Sequence, residues 1–186
     1  MNLVPTRLPG VMVAQTDVRT DARGSFTRFF CENDLGEVFA GHHVAQVNHS
    51  RTAQRGTIRG MHYQRPPFVE IKLIRCLRGA AYDVAVDLRA GSPTFLQWHA
   101  VELTPENAWM MIVPEGCAHG FQALSPECEL LYLHTAQYAP NAEAGVAWND
   151  PRIGIGWPLP LPAKDGVSDR DRSLPRLDGN FAGVRV

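Results

Sequence analysis

Short segments that alternate polar and apolar residues, separated by turn-forming residues, most constrain how this chain can fold. In residues 81–88, four larger apolar side chains alternate with two alanines and two aspartates. This period of two predicts a half-buried β-strand. Residues 98–103 and 109–113 are further predicted strands, and residues 129–135 alternate again. Because the residues between these segments are typical of turns, we predict a chain of short antiparallel strands.

Helices have a minor place in this pattern. The 14 prolines and 16 glycines are spread along the whole chain, which disfavours long helices. Only residues 32–40 have a helical pattern, and the Pro-rich, polar tail from Trp157 onward is predicted to wrap the surface as irregular structure. A chain of 186 residues with 45% hydrophobic content can bury one full core. We therefore predict a single domain over residues 1–186.

Charge and cysteine content narrow the class of protein. A net charge of -1 gives no basic surface for nucleic acid or anionic membrane, so we expect a small-molecule partner. The apolar segments are too short to span a membrane, and the first residues lack the pattern of a secretory signal, so we expect a cytoplasmic protein. The four cysteines form no Cys-x-x-Cys pair, which predicts reduced, mostly buried thiols.

One histidine lies in the motif IRGMHYQ, residues 58–64. Alternation along a strand places Gly60, His62 and Gln64 on one face and turns Arg59 to the other. The motif therefore predicts a strand that presents His62 together with Gln64.

A second histidine lies in the motif VPEGCAHGF, residues 113–121. Pro114 fixes its own φ and Gly116 can adopt a positive φ, so the pair predicts a sharp reversal into a strand that carries His119. Cys117 in this turn could be a nucleophile, but a small core residue is our preferred interpretation.

Short antiparallel strands with two glycine-bounded histidine motifs are typical of a cupin. The predicted fold is all-β, a double-sheet jelly roll with short peripheral helices and an irregular C-terminal tail. Metal-binding cupins typically carry a second histidine where this chain has Gln64, so His62, Glu70 and His119 would have to supply nearly all ligands. Because glutamine is a poor ligand for the metals that imidazole suits, we expect neither a metal nor another cofactor.

Five motifs resemble those of the nucleotide-sugar 3,5-epimerases, the dTDP-4-dehydrorhamnose 3,5-epimerase family. They are IRGMHYQRPPFVEIKLIRCLRG from Ile58, YDVAVDLRAGSPTF from Tyr82, VPEGCAHGF from Val113, LLY ending at Tyr132 and WNDPRIGIGWP from Trp148. They stand in family order, and the resemblance extends from about residue 5 to residue 177. It implies a metal-independent enzyme that epimerises carbon 3, carbon 5 or both in a nucleotide-diphospho-4-keto-6-deoxyhexose, with conversion of dTDP-4-dehydro-6-deoxy-D-glucose to dTDP-4-dehydro-L-rhamnose as the main expectation.

Inverting a carbon beside a ketone requires a base on one face of the sugar, an acid on the other, and a cation or donor for the enolate oxygen. The resemblance implies that His62 is the base, Tyr132 the acid and Lys72 the group beside the 4-keto oxygen. It also implies that Asp171, in the segment Ser-Asp-Arg-Asp, fixes the tautomer of His62. Asp165 is a weaker competitor for this last role.

The resemblance implies a larger set of substrate-binding residues, namely Arg23, Phe26, Arg28, Gln46, Asn48, Arg59, Asp83, His119 and Tyr138. Guanidinium groups such as those of Arg23 and Arg59 suit a diphosphate. Asp83 is expected to face the same cavity, where it could pair with Lys72. Simple alternation keeps Arg59 out of the His62 cavity unless a bulge or a neighbouring subunit intervenes. Because family members are dimers that exchange N-terminal strands, we expect a homodimer in which Arg23 serves the partner's site.

Three departures from the family pattern concern the nucleotide end. Arg28 replaces an acidic residue, Gln137 interrupts an aromatic pair with Tyr138, and Leu133 replaces a lysine. A CDP-linked substrate and epimerisation at a single carbon therefore stay open. The rivals from other classes are a sugar-nucleotide-binding cupin without turnover and a metal-dependent cupin dioxygenase or isomerase. The complete set of base, acid and enolate partner favours the epimerase.

Overall fold

A computed structural model describes residues 1–186, and its regular structure is almost entirely strand. The strands are β1 (Asn2–Pro5), β2 (Met12–Gln15), β3 (Val18–Asp21), β4 (Gly24–Thr27), β5 (Gln46–Thr52), β6 (Ile58–Gln64), β7 (Lys72–Arg78), β8 (Ala81–Asp87), β9 (Trp98–Leu103), β10 (Trp109–Val113), β11 (Cys117–Ala123), β12 (Cys128–His134) and β13 (Glu143–Gly145). The helices are α1 (Glu32–Phe39) and α2 (Asp169–Arg172). Neither helix has the length and apolarity needed to cross a membrane.

The strands form two large antiparallel sheets and one separate hairpin. The six-stranded sheet has the order β1-β2-β10-β7-β12-β5, and the five-stranded sheet has the order β13-β6-β11-β8-β9. Strands β3 and β4 pair only with each other. From β5 to β12 the chain passes repeatedly from one sheet to the other, and this confirms the predicted double-sheet jelly roll of the cupin type.

The main core lies between the two sheets. Ile74 and Leu130 of the six-stranded sheet pack in one buried cluster with Ala85 and Phe121 of the five-stranded sheet. Along each strand, every second side chain faces inward and is buried from water in this core, as the alternation in the sequence predicts.

The outer faces of the sheets are also covered. Leu35 and Phe39 of α1 pack on the six-stranded sheet beside Leu73. Val84 and Val86 of β8 pack with residues of the C-terminal region, including Ile153 and Val184. The prediction that residues 81–88 form a half-buried strand was therefore wrong in one respect, because both faces are buried. The valine face lies under the C-terminal region, and the face of Ala81 and Ala85 lies against the core between the sheets.

The predicted elements agree with the structure to within one residue at each boundary. The strand predicted over residues 129–135 is Cys128–His134, and the helix predicted over 32–40 is Glu32–Phe39, with Ala40 in the left-handed conformation that ends it. The tail from Trp157 is irregular except for α2, which was not predicted. A helix of four residues is too short to produce a periodic pattern in the sequence.

The predicted reversal before His119 is present. The Cys117 N–H donates to the Pro114 carbonyl over 3.2 Å, and Gly116 has φ +75°. All four cysteines are free, and three of them are buried. Burial raises the pKa of Cys117 to about 12, which keeps its thiol protonated and confirms a core residue rather than a nucleophile.

Candidate active site

A cavity of about 600 Å³ opens between the two sheets. Eight of the thirteen predicted site residues line it: Gln46, Asn48, Arg59, His62, Lys72, His119, Tyr132 and Tyr138. They come from both sheets, so the cavity presents polar groups on opposite walls. A sugar ring held between these walls would meet groups from both sides.

The imidazole of His62 is hydrogen-bonded to the carboxylate of Asp171. The His62 Nε2 lies 2.7 Å from Asp171 Oδ1, and the Gly60 N–H donates to Asp171 Oδ2 over 3.0 Å. Burial acts to raise the pKa of Asp171, but the hydrogen bonds from His62 and Gly60 outweigh it and the pKa lies below its ordinary value. The ionised carboxylate fixes the proton of His62 on Nε2 and leaves Nδ1 as the basic nitrogen.

The C-terminal helix α2 places Asp171 in this position. Ser168 is the N-cap of α2, and its side chain accepts a hydrogen bond from the Asp171 N–H over 3.1 Å. The predicted pairing of Asp171 with His62 is therefore confirmed, while Asp165 makes no ion pair in the structure.

A β-bulge in β6 resolves the orientation of Arg59. His119 lies opposite His62 and Phe121 lies opposite Arg59, so a three-residue step on β6 faces a two-residue step on β11. The extra residue reverses the alternation and returns Arg59 to the His62 side. The expectation from simple alternation was wrong here, and the bulge that would allow a shared cavity is present.

Lys72 and Asp83 do not pair, contrary to the sequence prediction. The Lys72 Nζ lies 3.3 Å from Glu70 Oε1 and donates to the His62 carbonyl over 3.2 Å. Asp83 Oδ1 lies 2.7 Å from His119 Nε2 instead. Asp83 is taken by His119 on the neighbouring strand β11, and Lys72 by Glu70, which lies two residues before it in the chain.

Asp83 is fully buried, and its Oδ2 atom has no hydrogen-bond partner. Burial raises the pKa of Asp83 above its ordinary value, and the interaction with His119 only partly opposes this effect. The His119–Asp83 pair therefore differs electrostatically from the His62–Asp171 pair, although both use the Nε2 atom of the imidazole.

Tyr132 lies on β12, across the cavity from the strand of His62. Its hydroxyl lies 3.1 Å from Ser50 Oγ, and its ring meets His119 edge-on at 6.0 Å and stacks with His134 at 6.1 Å. Burial raises the pKa of Tyr132 above its ordinary value. The phenol therefore stays protonated and can donate a proton.

The Gln64 side chain forms hydrogen bonds with backbone groups of the neighbouring loops. Its amide nitrogen donates to the carbonyls of Phe68 and Gln137, and its oxygen accepts from the Ala139 N–H over 2.7 Å. No three His, Cys, Asp or Glu side chains converge as metal ligands would. His62 and His119 each face their own aspartate, while Glu70 contacts Lys72.

Four predicted binding residues do not line this cavity: Asp83, which contacts His119, and Arg23, Phe26 and Arg28. Arg23 and Phe26 are on the β3–β4 hairpin, where Phe26 is 65% exposed and Arg23 pairs with Asp21 at 2.6 Å. Arg28 is exposed and lies 3.9 Å from Asp34. Their contribution to a site stays a prediction, because the β3–β4 hairpin joins neither large sheet of its own chain and Arg23 was expected to serve the site of a partner subunit.

Several lining residues were not predicted as part of a substrate site. They are His49, Ser50, Tyr63, Gln64, Glu70, Phe121, His134, Glu143 and Arg170. For His134 a signal existed, because alternation along the strand places it on the same side as Tyr132. No sequence signal pointed to Glu143 and Arg170. These two residues form an ion pair at the cavity only because the C-terminal tail folds back on the sheet.

Comparison with known proteins gives concordant matches. The family model described as dTDP-4-dehydrorhamnose 3,5-epimerase matches residues 5–179. A dTDP-4-dehydrorhamnose 3,5-epimerase from Sinorhizobium fredii is 43% identical over 157 residues, which cover 84% of this chain and 80% of that protein.

Two solved structures are similar along most of the chain. One is a dTDP-6-deoxy-D-glucose-3,5-epimerase from Legionella pneumophila in complex with dTDP-4-keto-L-rhamnose, with a TM-score of 0.90, 33% identity, and coverage of 100% of this chain and 98% of that one. The other is a 3'-monoepimerase from Streptomyces bikiniensis in complex with dTDP-quinovose, with a TM-score of 0.83, 35% identity, and coverage of 93% and 86%.

Proposed function

The chain belongs to the dTDP-4-dehydrorhamnose 3,5-epimerase family, and from this membership we propose that it inverts carbon 3 and carbon 5 of dTDP-4-dehydro-6-deoxy-D-glucose to give dTDP-4-dehydro-L-rhamnose. The protein is an isomerase of dTDP-rhamnose biosynthesis that acts on a nucleotide-diphospho-sugar. The dTDP-4-keto-L-rhamnose bound by the similar Legionella pneumophila protein supports the choice of sugar. We assign this activity to one domain over residues 1–186.

The mechanism is supported by one observation: His62 is hydrogen-bonded to Asp171 and lies across one cavity from Tyr132. His62 Nδ1 removes the proton from the carbon beside the ketone, and the charge of Asp171 stabilises the imidazolium that forms. The Tyr132 hydroxyl returns a proton to the opposite face of the same carbon. These two transfers invert the configuration.

Lys72 stabilises the intermediate between the two transfers. Carbon 3 and carbon 5 both flank the 4-keto carbon, so one ammonium group beside the keto oxygen serves the enolate formed from either position. Lys72 lies between the walls, with its Nζ 3.2 Å from the His62 carbonyl. The proposed reaction uses only protein side chains and requires no cofactor.

The remaining cavity residues are proposed to hold the substrate. Arg59 binds the diphosphate through its guanidinium group, and His119, held by Asp83, lines the sugar pocket. Gln46, Asn48 and Tyr138 lie along the same cavity and contact the nucleotide part.

Arg23, Phe26 and Arg28 are proposed to complete the site of a second copy in a homodimer with exchanged N-terminal strands. The exposed ring of Phe26 and the isolated β3–β4 hairpin support this arrangement. A large exposed aromatic ring on a projecting hairpin is typical of a surface that another chain covers.

Epimerisation at carbon 3 alone is the second candidate function, favoured by the similarity to the 3'-monoepimerase from Streptomyces bikiniensis. The chemistry is the same, but only one of the two carbons would reach both His62 and Tyr132. A CDP-linked substrate differs at the nucleotide end, where Arg28 and Gln137 depart from the family pattern.

Hydrogen exchange distinguishes these possibilities. The protein is incubated in deuterated water with dTDP- and CDP-linked 4-keto-6-deoxyhexoses, and NMR follows deuterium at carbon 3 and carbon 5. Exchange at both carbons is expected with the dTDP sugar, exchange at one carbon would assign a mono-epimerase, and no exchange with any substrate would overturn the epimerase assignment.

Two variants test the proposed roles in the same assay. His62→Asn should abolish exchange, whereas Tyr132→Phe should retain exchange and lose inversion, because its base is intact. His43→Asn changes an exposed histidine outside the cavity and is the matched control. Normal exchange in His62→Asn would show that another group is the base.

A further inference from the structure

Glu70 connects two cavity residues through its two carboxylate oxygens. It lies in the connection between β6 and β7, and its side chain is 8% exposed. Oε1 lies 3.3 Å from Lys72 Nζ, and Oε2 lies 2.8 Å from His134 Nδ1. Lys72 and His134 are directly opposite each other in the β7–β12 register, so Glu70 bridges a cross-strand pair at the end of the two strands.

Glu70 is the only carboxylate within ion-pair distance of Lys72. The Lys72 side chain is only 10% exposed, and its other polar contact is the neutral His62 carbonyl. An ammonium group withdrawn from water loses solvation that favours its charged form, and a nearby negative charge offsets this loss. The charge that Lys72 needs for its role therefore depends on Glu70.

His134 holds Glu70 in a defined orientation. The His134 Nδ1 lies 2.8 Å from Glu70 and its Nε2 lies 3.3 Å from the Asn48 amide nitrogen. An amide nitrogen can only donate, so Nε2 accepts and Nδ1 carries the proton that is donated to Glu70. A neutral imidazole satisfies both contacts, and its ring stacks with Tyr132 at an interplanar angle of 24°.

The electrostatic state of Glu70 fits this arrangement. Burial acts to raise the pKa of Glu70, but the contacts with His134 and Lys72 outweigh it and the pKa lies below its ordinary value. Glu70 is therefore a carboxylate that carries its charge inside the site.

We propose that Glu70 is a positioning residue, which keeps the Lys72 ammonium charged and directed at the 4-keto oxygen, and that His134 orients Glu70. The inference rests on the proposed function and extends it by two residues that do not themselves contact the reacting atoms. Lys72 interacts most strongly with the full negative charge of the enolate, so loss of Glu70 should lower kcat more than it changes KM.

Glu70→Gln tests the proposal because it keeps the shape of the side chain and removes its charge. We expect kcat to fall by about 10- to 100-fold, which is less than the roughly 10²- to 10³-fold cost of removing an oxyanion-stabilising group outright because Lys72 itself remains, while KM changes by less than about threefold. Glu115→Gln is the matched control, because it removes the carboxylate of another Glu–His pair, with His42 at 3.5 Å, outside the cavity. It should leave both constants unchanged.

The pH profile of kcat supplies a second measurement, which a purely structural role for Glu70 would not affect. An ammonium without its counter-charge releases its proton more readily, so the alkaline limb should move to lower pH in Glu70→Gln. The other titratable side chains on the strands around Lys72 are Tyr132 and His134 on β12, His62 on β6 and His119 on β11. Of these four, only His134 contacts Glu70, so the profile of His134→Phe is measured beside that of Glu70→Gln to separate its contribution.

His134→Phe keeps a ring beside Tyr132 and removes the hydrogen bond to Glu70, so it should lower kcat in the same direction by a smaller factor. It also tests the proposal if Glu70→Gln fails to fold. If Glu70→Gln keeps the wild-type kcat and an unshifted alkaline limb while Lys72→Met loses activity, the proposed role of Glu70 is wrong and that of Lys72 stands. Full activity in Lys72→Met would overturn the proposed role of Lys72 itself.

Discussion

At the scale of single residues, the two histidines occupy equivalent places but face unlike carboxylates. Asp171 accepts from His62 and from the Gly60 N–H, and its pKa is lowered. Asp83 interacts with His119 through one oxygen only, and burial raises its pKa. A carboxylate that is readily ionised stabilises an imidazolium better, which is the physical reason to assign the base to His62.

Replacement of Asp171 tests that assignment. Asp171→Asn should lower kcat by roughly 10²- to 10⁴-fold, because the amide neither stabilises the imidazolium nor enforces the required tautomer. Steady-state kinetics with the dTDP-linked substrate measures the effect. The matched control is Asp165→Asn in the same tail, where asparagine tolerates the φ of +55°. Equal losses in both variants would contradict a specific partnership of Asp171 with His62.

The lowered pKa of Asp171 also predicts how stability depends on pH. An aspartate whose pKa is lower in the folded state contributes stability above its unfolded pKa of about 4, and loses that contribution as the pH falls through its folded pKa. The melting temperatures of the wild type and Asp171→Asn should therefore differ most near pH 6 and converge toward pH 3, as followed by circular dichroism. A difference that does not vary with pH would show that the charge of Asp171 is not its source.

At the scale of elements, the bulge in β6 decides which side chains share the cavity. It places Arg59 and His62 on one side, although they are three residues apart on a strand. Gly60 within the bulge has φ +122°, and an added Cβ would lie 2.6 Å from the Gly120 Cα and 2.8 Å from the His119 carbonyl oxygen. Only glycine fits between β6 and β11 at this point.

Gly60→Ala should therefore destabilise the protein by about 3 kcal/mol or more, because both the backbone conformation and the contact with β11 oppose a Cβ. Gly24→Ala is the control, since Gly24 has a similar φ of +135° with nothing within 4 Å of an added Cβ. The control should cost about 1–2 kcal/mol, measured by urea unfolding. If the two variants lose equal stability, the close approach of β11 is not what requires glycine.

At the scale of the whole molecule, the N-terminal hairpin and the six-stranded sheet suggest how two copies would meet in the proposed homodimer. The outer edge of β5 has no strand neighbour, and Val47 on this strand is 57% exposed. An unpaired edge is available to a strand from another chain. Because β5 also carries Gln46 and Asn48 of the cavity, an N-terminal segment added there would approach the proposed nucleotide site.

Subunit mixing tests this arrangement. Arg23→Ala should weaken the site of the partner subunit, and His62→Asn should inactivate its own site. If each site uses Arg23 of the other copy, unfolding and refolding the two variants together should restore activity that neither has alone, since one of the two sites in each mixed dimer is then intact. No recovery in mixtures that contain the mixed dimer would show that Arg23 does not act across the interface. A refolded wild type is the control for yield.

Strands β6 and β8–β12 and the identity of the reactive groups could be predicted from the sequence, whereas β1–β5, β7 and β13 were not predicted. Alternation is set locally by which residues can face a core, so the bounds of β9 and β10 followed directly, and the ordered motifs named His62, Lys72 and Tyr132. Ser168 is an N-cap residue that could have indicated α2, but a helix of four residues has no periodicity to support it.

The pairing of these groups was decided mainly by the tertiary structure. The resemblance to a family supplied Asp171 as the partner of His62, 109 residues away. The same reasoning gave Asp83 the wrong partner and left the link between Glu70 and His134 unseen. Such contacts depend on strand register, on a bulge that reverses alternation and on which sheet a strand joins. Each of these is settled by packing between distant segments, which a local pattern of residues does not encode.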